Sequence, residues 1–213
     1  MSRFRPFTLL PHRVPRRVTD PIVAVLARTG LTPNHVSILG FAGNVGAGAL
    51  AARGDFLPAG FVMLGASALD LLDGALARAT DRATDFGAVL DSALDRLSEA
   101  AVLSGLAFYF VQRGETEETI LCFSALAGSF IVSYVRAQAL ARGLDIRDGW
   151  FTRAERVILV GVALIIDQVR IALWILAIMA GATAVQRLYQ AWRQFGERDA
   201  QNKTEREDEA PQQ

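Results

Sequence analysis

The hydrophobic residues of this chain fall into six long blocks separated by short polar segments. The blocks cover residues 36–52, 56–72, 89–111, 119–140, 157–166 and 171–185. A helix that crosses a bilayer needs about 20 mostly apolar residues. The fifth block is short and would cross only together with its flanks, from residue 153 to residue 167. The pattern therefore predicts an all-α, polytopic membrane protein with six transmembrane helices.

Composition supports a membrane protein and argues against other classes. The chain has 213 residues, 52% of which are hydrophobic, and its mean hydropathy is +0.28. The 22 basic and 22 acidic residues cancel, so no excess positive charge is present to bind nucleic acid. The single cysteine, Cys122, excludes an intramolecular disulfide framework and a cysteine-built metal site.

The two ends of the chain differ from the apolar blocks. Residues 1–20 carry five arginines among apolar side chains, a mixture typical of a segment that lies on an anionic membrane surface. A disordered basic arm is the alternative. We expect three regions: a basic arm with an interfacial amphipathic helix over residues 1–30, a six-helix domain over 31–195, and a disordered polar tail over 196–213.

Arginines are unevenly distributed over the loops that six crossings would create. One set comprises the N-terminal arm, the 78–82 and 141–156 loops, Arg187 and Arg193. The opposite loops hold only Arg53, Arg113 and Arg170. Because loops rich in Arg stay in the cytoplasm, we expect a multi-pass protein of the cell membrane with both termini in the cytoplasm.

Five carboxylates lie in or beside the second and third blocks. They are Asp70, Asp73, Asp91, Asp95 and Glu99. An ionised carboxylate in lipid costs at least ~2.5 kcal/mol, so several together need a compensating partner. The first two are three residues apart and the next two are four apart, so each pair shares one helix face. We expect these four aspartates to converge in one pocket near the cytoplasmic headgroups.

Several partners could neutralise the aspartates. Arg78, Arg82 and Arg96 could form a purely structural network with them. Four oxygen ligands that face one another suit a hard divalent cation better. Mg²⁺ or Mn²⁺ in such a site commonly serves phosphate chemistry, in which two ions clamp the attacking and leaving oxygens. A proton or Na⁺ carrier is the other functional alternative.

The spacing of these residues resembles a known family signature. The run from Asp70 to Asp95 reads D-x-x-D-G-x-x-A-R-x(8)-G-x(3)-D-x(3)-D. Every fixed position matches the signature of the CDP-alcohol phosphotransferases, also called CDP-alcohol phosphatidyltransferases. The resemblance implies a homodimeric enzyme of phospholipid biosynthesis. Such an enzyme transfers a phosphatidyl group from CDP-diacylglycerol, or a related CDP-lipid, to the hydroxyl of a polar alcohol and releases CMP.

The same resemblance implies roles for the aspartates. Asp70 and Asp91 would bridge two Mg²⁺ ions, which Mn²⁺ could replace. Asp73 would hold one of the ions and Asp95 the other. Asp95 would also act as the general base that takes the proton of the acceptor hydroxyl.

The resemblance further implies a binding segment for the CDP portion of the donor. The residues implied are Gly74, Arg78 and Thr84, together with Pro33, Asn34, His35 and Val36 before the first block. Taken alone, the Thr-Pro-Asn sequence at residues 32–34 would indicate an ordinary helix start.

Two basic stretches bear on the acceptor. Ser133-Tyr-x-Arg136-Ala and Arg153-Ala-Glu-Arg156 resemble the branch of the family that makes phosphatidylinositol phosphate or its archaeal ether-lipid equivalent. Ser133, Arg136, Arg153 and Arg156 would then bind the phosphate of inositol 1-phosphate. Gln138 stands where this branch would carry a second basic residue, so glycerol 3-phosphate, the acceptor of a phosphatidylglycerophosphate synthase, is the alternative.

Two other classes of protein remain open at this stage. An intramembrane prenyltransferase also uses aspartate-rich Mg²⁺ sites, but it would not need the Asp-Gly-x-x-Ala-Arg element. An ion carrier would place its acidic residues near the bilayer midplane, whereas these cluster toward one face.

Overall fold

The computed structural model describes residues 32–80, 84–146, 149 and 151–208, without the side chains at 71, 73, 74, 78 and 204–208. All regular structure in this part of the chain is α-helical. The helices are α1 (Pro33–Arg53), α2 (Phe56–Ala79), α3 (Asp85–Arg113), α4 (Thr116–Ala141), α5 (Arg153–Ile165) and α6 (Val169–Asp208). The arm and interfacial helix predicted for residues 1–30 lie outside the described residues.

Each predicted apolar block coincides with one helix, which confirms the all-α class. Four helices, α1, α2, α4 and α6, are long and apolar enough to cross a membrane. Helix α3 has the length, at 29 residues, but carries the carboxylates. Helix α5 has only 13 residues, about 20 Å, which is shorter than the ~30 Å hydrocarbon core. The chain is a membrane protein, and six crossings remain a prediction.

Three helices begin at a threonine. The caps are Thr32 before α1, Thr84 before α3 and Thr152 before α5. The first forms a capping box with His35. The second accepts a hydrogen bond from the Gly87 N–H at 3.0 Å, and the third donates its N–H to Glu155 at 2.6 Å. Such caps fix the residue at which a helix begins.

The six helices close into a ring. Helix α1 packs against both α2 and α3, α3 packs against α4, and α4 packs against α6. Helix α5 completes the ring because it packs against α6 on one side and α2 on the other. Helices α2 and α3 are consecutive in sequence, yet α1 lies between them in the ring.

Glycines set the close approach of α1 to α3. A Cβ atom on Gly105 would come within 2.1 Å of the Gly48 carbonyl oxygen, and a Cβ on Gly48 within 2.4 Å of the Ala101 carbonyl oxygen. Both contacts are with backbone, which has little room to move. Small residues therefore allow the two helices to touch along their backbones, as in other membrane helix pairs.

The apolar core occupies one half of the ring. It is built from the second halves of α1, α3 and α5 and the first halves of α2, α4 and α6. Its fully buried members include Leu106, Leu164 and Leu173. The other half of the ring, at the starts of α1, α3 and α5, carries the aspartates of the signature and most of the arginines.

The chain beyond residue 196 differs from the prediction. We expected disorder over 196–213, but α6 continues as a helix to Asp208. Arg193 pairs with Glu197 at 2.8 Å one turn along the helix, and Arg198 donates to the Arg142 carbonyl oxygen at 2.7 Å. These contacts stabilise the helical extension. A polar composition is compatible with a helix as well as with disorder.

The contact between α1 and α3 gives a stability test. We expect Gly105→Ala to lower the free energy of unfolding by about 1–3 kcal/mol, because the added methyl group overpacks a backbone contact. Thermal unfolding of the purified protein in detergent measures this. Gly65→Ala is the matched control, because a Cβ at Gly65 meets nothing within 4 Å. Equal melting temperatures for the two variants would contradict the packing described here.

Candidate active site

Aspartates of the signature reach the same space from different helices. Asp70 lies near the end of α2 and Asp95 in the first half of α3. Their side chains are only 6% and 23% exposed. Asp91 lies one turn before Asp95 on α3 and is half-buried. Asp73 lies one turn after Asp70 on α2, and its side chain is outside the described part of the chain.

A glycine of α1 makes room for the first carboxylate. A Cβ atom on Gly40 would lie 2.0 Å from Asp70 Oδ1, so the carboxylate rests against the α1 backbone. Asn44 Nδ2 donates to the Gly40 carbonyl oxygen at 3.0 Å, and Asn44 Oδ1 accepts from the Ser67 hydroxyl at 3.5 Å. Helix α1 thereby forms a wall that positions Asp70.

One guanidinium joins the two carboxylates. Arg153, the first residue of α5, places its Nη2 atom 2.8 Å from Asp70 Oδ2 and 2.9 Å from Asp95 Oδ1. The contact brings α2, α3 and α5 together across the inside of the ring. A positive charge between the two carboxylates relieves the repulsion that they would otherwise feel.

A second ion pair lies one turn deeper. Arg156 binds Glu99 through two parallel hydrogen bonds, of 2.8 Å from Nε and 3.1 Å from Nη2. Glu99 also accepts from the Ser129 hydroxyl at 2.7 Å. The Arg156 side chain is 6% exposed and that of Glu99 is 11% exposed. This pair fixes α5 against α3 and α4, one turn from Arg153.

The donor set suits a divalent cation. Carboxylate oxygens are the ligands that Mg²⁺ and Mn²⁺ prefer, and Asp70 and Asp95 already accommodate a positive charge between them. Among the side chains that the structure describes, no three Asp, Glu, His or Cys residues form a metal-binding group. Asp73 is not in that set. The convergence of all four aspartates on two metal ions therefore stays a prediction.

Two residues predicted to bind the CDP portion lie side by side. Thr84 caps α3, and a Cβ on Gly87 would lie 3.0 Å from the Thr84 hydroxyl and 3.3 Å from Asn34 Oδ1. The first turns of α1 and α3 thus meet at this end of the ring. Two helix N-termini that meet favour an anion such as a phosphate, because each helix dipole is positive at that end.

Other residues of the predicted CDP segment have different surroundings. Val36 is 2% exposed and packs against Leu76, so its side chain belongs to the core. Pro33 begins α1, and His35 is exposed and completes the Thr32 cap. Gly74 and Arg78 are both within α2, and the structure describes only the helical backbone at these two positions.

A buried arginine of α6, Arg187, lies against the part of α4 that carries two of the acceptor candidates. Arg187 on α6 is 6% exposed and donates to the Val132 carbonyl oxygen at 2.8 Å. Its Nε atom is buried and has no hydrogen-bond partner among the residues that the structure describes. The charges of Arg136 and Arg156 act on the same guanidinium. In the described part of the chain, no carboxylate forms an ion pair with Arg187.

The sequence did not indicate a role in the site for two residues, Arg187 and Gly40. Arg187 is a charged residue that follows the apolar block of α6. A charged residue within a membrane helix often indicates a functional role. Gly149 leaves room for the Arg187 guanidinium, since a Cβ on Gly149 would lie 3.0 Å from Arg187 Nη2. Gly40 is one of several glycines in the sequence of α1, and nothing in that sequence sets it apart from the others. Ser133 and Arg136, which were predicted, lie near the end of α4.

Gly40 provides a test of the Asp70 position. We expect Gly40→Ala to weaken Mn²⁺ binding about tenfold, because the added methyl group displaces the carboxylate that it touches. Electron paramagnetic resonance of free Mn²⁺ measures the affinity. Gly46→Ala, on the same helix with nothing within 4 Å of its Cβ, should bind Mn²⁺ as the unmodified protein does. An unchanged affinity in Gly40→Ala would contradict the assigned contact.

The buried ion pair of Arg156 and Glu99 gives a second test. We expect Arg156→Met to cost about 3–5 kcal/mol of unfolding free energy, because it leaves Glu99 charged and unpaired. Adding Glu99→Leu to that variant should recover most of the loss, since the unpaired charge is then gone. Denaturant unfolding in detergent measures both. A double variant no more stable than Arg156→Met would show that the pair is not coupled.

Comparison with known proteins identifies the family to which the chain belongs. Residues 30–186 match the family model of CDP-alcohol phosphatidyltransferase. Archaetidylinositol phosphate synthase of Pyrococcus horikoshii is 36% identical over 192 residues, which cover 90% of this chain and 96% of that protein. Phosphatidylinositol phosphate synthase of Mycobacterium marinum is 38% identical over 197 residues, which cover 86% of this chain and 83% of that protein.

Solved structures agree with the sequence matches. The phosphatidylinositol phosphate synthase of Mycobacterium tuberculosis with bound CDP-DAG aligns with a TM-score of 0.77 at 34% identity, over 83% of this chain and 94% of that one. The same enzyme in complex with manganese and citrate aligns with a TM-score of 0.75, over 82% and 88% of the two chains. The prenyltransferase and ion-carrier alternatives are therefore set aside. The chain belongs to the CDP-alcohol phosphatidyltransferase family, as its aspartate signature indicated.

Proposed function

We propose that this enzyme transfers the phosphatidyl group of CDP-diacylglycerol to inositol 1-phosphate and releases CMP. The products are phosphatidylinositol phosphate and CMP. The observation that carries the proposal is the meeting of signature aspartates and arginines inside one end of the ring, where Arg153 contacts both Asp70 and Asp95. A site that joins carboxylates to arginines suits a reaction in which both substrates carry phosphate.

Asp70, Asp73, Asp91 and Asp95 would hold two divalent ions. Mg²⁺ is the proposed physiological ion, and a related synthase has been solved with manganese. When bound, the ions would neutralise the pyrophosphate and make CMP a better leaving group. The carboxylates would set the position of the pyrophosphate relative to the acceptor.

Asp95 is the proposed general base. Its side chain is 23% exposed, against 6% for Asp70, so it is the more accessible of the two to an incoming alcohol. Asp95 would take the proton of the acceptor hydroxyl while that oxygen attacks the lipid-side phosphorus. The bond from this phosphorus to the CMP oxygen then breaks, and CMP leaves with the electron pair.

The CDP portion would lie at the starts of α1 and α3. Asn34 and Thr84 are neighbours there, and both helix N-termini favour phosphate. Gly74 and Arg78, in the α2 segment that follows Asp70, would complete this surface together with Pro33 and His35. Val36, which is buried against Leu76, supports the surface by packing.

The arginines favour an acceptor with its own phosphate. Arg187 keeps a buried Nε that has no acceptor among the described residues, and buried donors in proteins almost always have an acceptor. A phosphate oxygen would supply one. Arg136 is exposed beside it, and Ser133 lies one turn earlier on α4. Arg156 is committed to Glu99, so we assign it to holding α5 in place rather than to the phosphate.

Names of relatives support inositol phosphate over glycerol 3-phosphate. The relatives from Pyrococcus horikoshii and Mycobacterium marinum are both inositol phosphate-lipid synthases by name. The arginine distribution further supports a site that faces the cytoplasm, in the cell membrane. A homodimer remains a prediction from the family resemblance.

An acceptor screen tests the proposed reaction. Purified enzyme with CDP-diacylglycerol and Mg²⁺ should release CMP with inositol 1-phosphate and far more slowly with glycerol 3-phosphate or free inositol. We expect Asp95→Asn to lower the rate by at least about 10²–10⁴-fold, the usual contribution of a general base. Asp55→Asn, which removes the same charge at the opposite end of the ring, should retain the rate.

Two results would overturn this assignment. Faster CMP release with glycerol 3-phosphate would reassign the acceptor within the family. Full activity in a folded Asp95→Asn protein, with an unchanged melting temperature, would remove Asp95 from the reaction.

A further inference from the structure

Arg153 occupies one oxygen atom on each of two carboxylates that the proposed metal site uses. Its Nη2 atom lies 2.8 Å from Asp70 Oδ2 and 2.9 Å from Asp95 Oδ1. An Mg²⁺ or Mn²⁺ ion lies about 2.1 Å from its oxygen ligands, so an ion bound to these two atoms would sit within about 5 Å of Nη2. Two cations at that distance in a half-buried site repel each other strongly.

The start of α5 is held independently of this contact. Thr152 and Glu155 form the helix cap, and Arg156 is anchored to Glu99. The Arg153 side chain can therefore leave the carboxylates without any movement of the helix. Within the described part of the chain, the Arg153 Nε atom is buried without a hydrogen-bond partner, so the contacts seen there do not satisfy all of the donors of Arg153.

We propose that Arg153 and a divalent cation compete for Asp70 and Asp95, so that metal binding releases Arg153 to bind the phosphate of the acceptor. This rests on the proposed function. Arg153 lies one turn from Arg156 on α5, and the charge of Arg156 acts on Arg187. The proposal places the released guanidinium on this side of the site. Arg153 thereby couples the two ligands: metal raises the affinity for acceptor, and acceptor raises the affinity for metal by the same factor.

The competition is tested by Mn²⁺ affinity. Electron paramagnetic resonance would measure Mn²⁺ binding to the full-length protein in detergent, without CDP-lipid. We expect Arg153→Gln to bind Mn²⁺ at least about tenfold more tightly, the factor that corresponds to losing a charge-assisted hydrogen bond. Arg96→Gln is the matched control. It removes a charge next to Asp95 in sequence, but Arg96 hydrogen-bonds the Ser92 carbonyl oxygen, so its effect should be much smaller.

The coupling is tested by the same assay with inositol 1-phosphate. We expect the acceptor to tighten Mn²⁺ binding in the unmodified protein and to do so much less in Arg153→Gln. Arg153→Lys, which keeps the charge but loses the planar fork, should give an intermediate Mn²⁺ affinity. It also serves as the second variant if Arg153→Gln does not fold.

The outcomes separate this inference from the proposed function. Equal Mn²⁺ affinities in the unmodified protein and both Arg153 variants would overturn the competition. An acceptor effect of the same size in Arg153→Gln would overturn the coupling. No Mn²⁺ binding by any of the proteins would instead overturn the metal site of the proposed function.

Discussion

The site depends on one electrostatic constraint, the need to balance carboxylates that lie largely out of water. Asp70 and Asp95 stand on helices that do not pack against each other extensively, and each is mostly buried. Such groups remain charged only beside a cation. Arg153 supplies that cation from a third helix. Gly40 matters for the same reason, because only a residue without a side chain lets Asp70 reach this position from α2.

One end of the ring stabilises the fold, and the other end carries the residues of the proposed reaction. One end buries an apolar core in which small residues let α1 and α3 touch. That packing holds the helices in place while the other end accumulates like charges that would otherwise separate them. The buried pair of Arg156 and Glu99 lies at the boundary. Because this pair fixes the start of α5, it also fixes the backbone position of Arg153.

Sequence alone predicted features that repeat along a helix or within one turn. The six blocks, the helix start at residues 32–34 and the aspartate spacing are of this kind, and the family match confirms the signature. Contacts between helices were not predictable, because spacing along one helix says nothing about its neighbours. The partners of Arg153 and Arg156, and the place of α1 between α2 and α3, belong to this group. The helical tail was missed because its polar composition is equally typical of disorder.

We expect carboxylates of α2 and α3 to bind divalent cations together at the end of the ring that carries the aspartate signature. Anomalous diffraction at the manganese edge, from crystals grown with Mn²⁺, locates such ions directly. We expect manganese peaks within about 2.2 Å of Asp70 and Asp95 oxygens, with Asp73 and Asp91 as further ligands. Manganese bound elsewhere in a catalytically active crystal, with Arg153 still on both carboxylates, would contradict it.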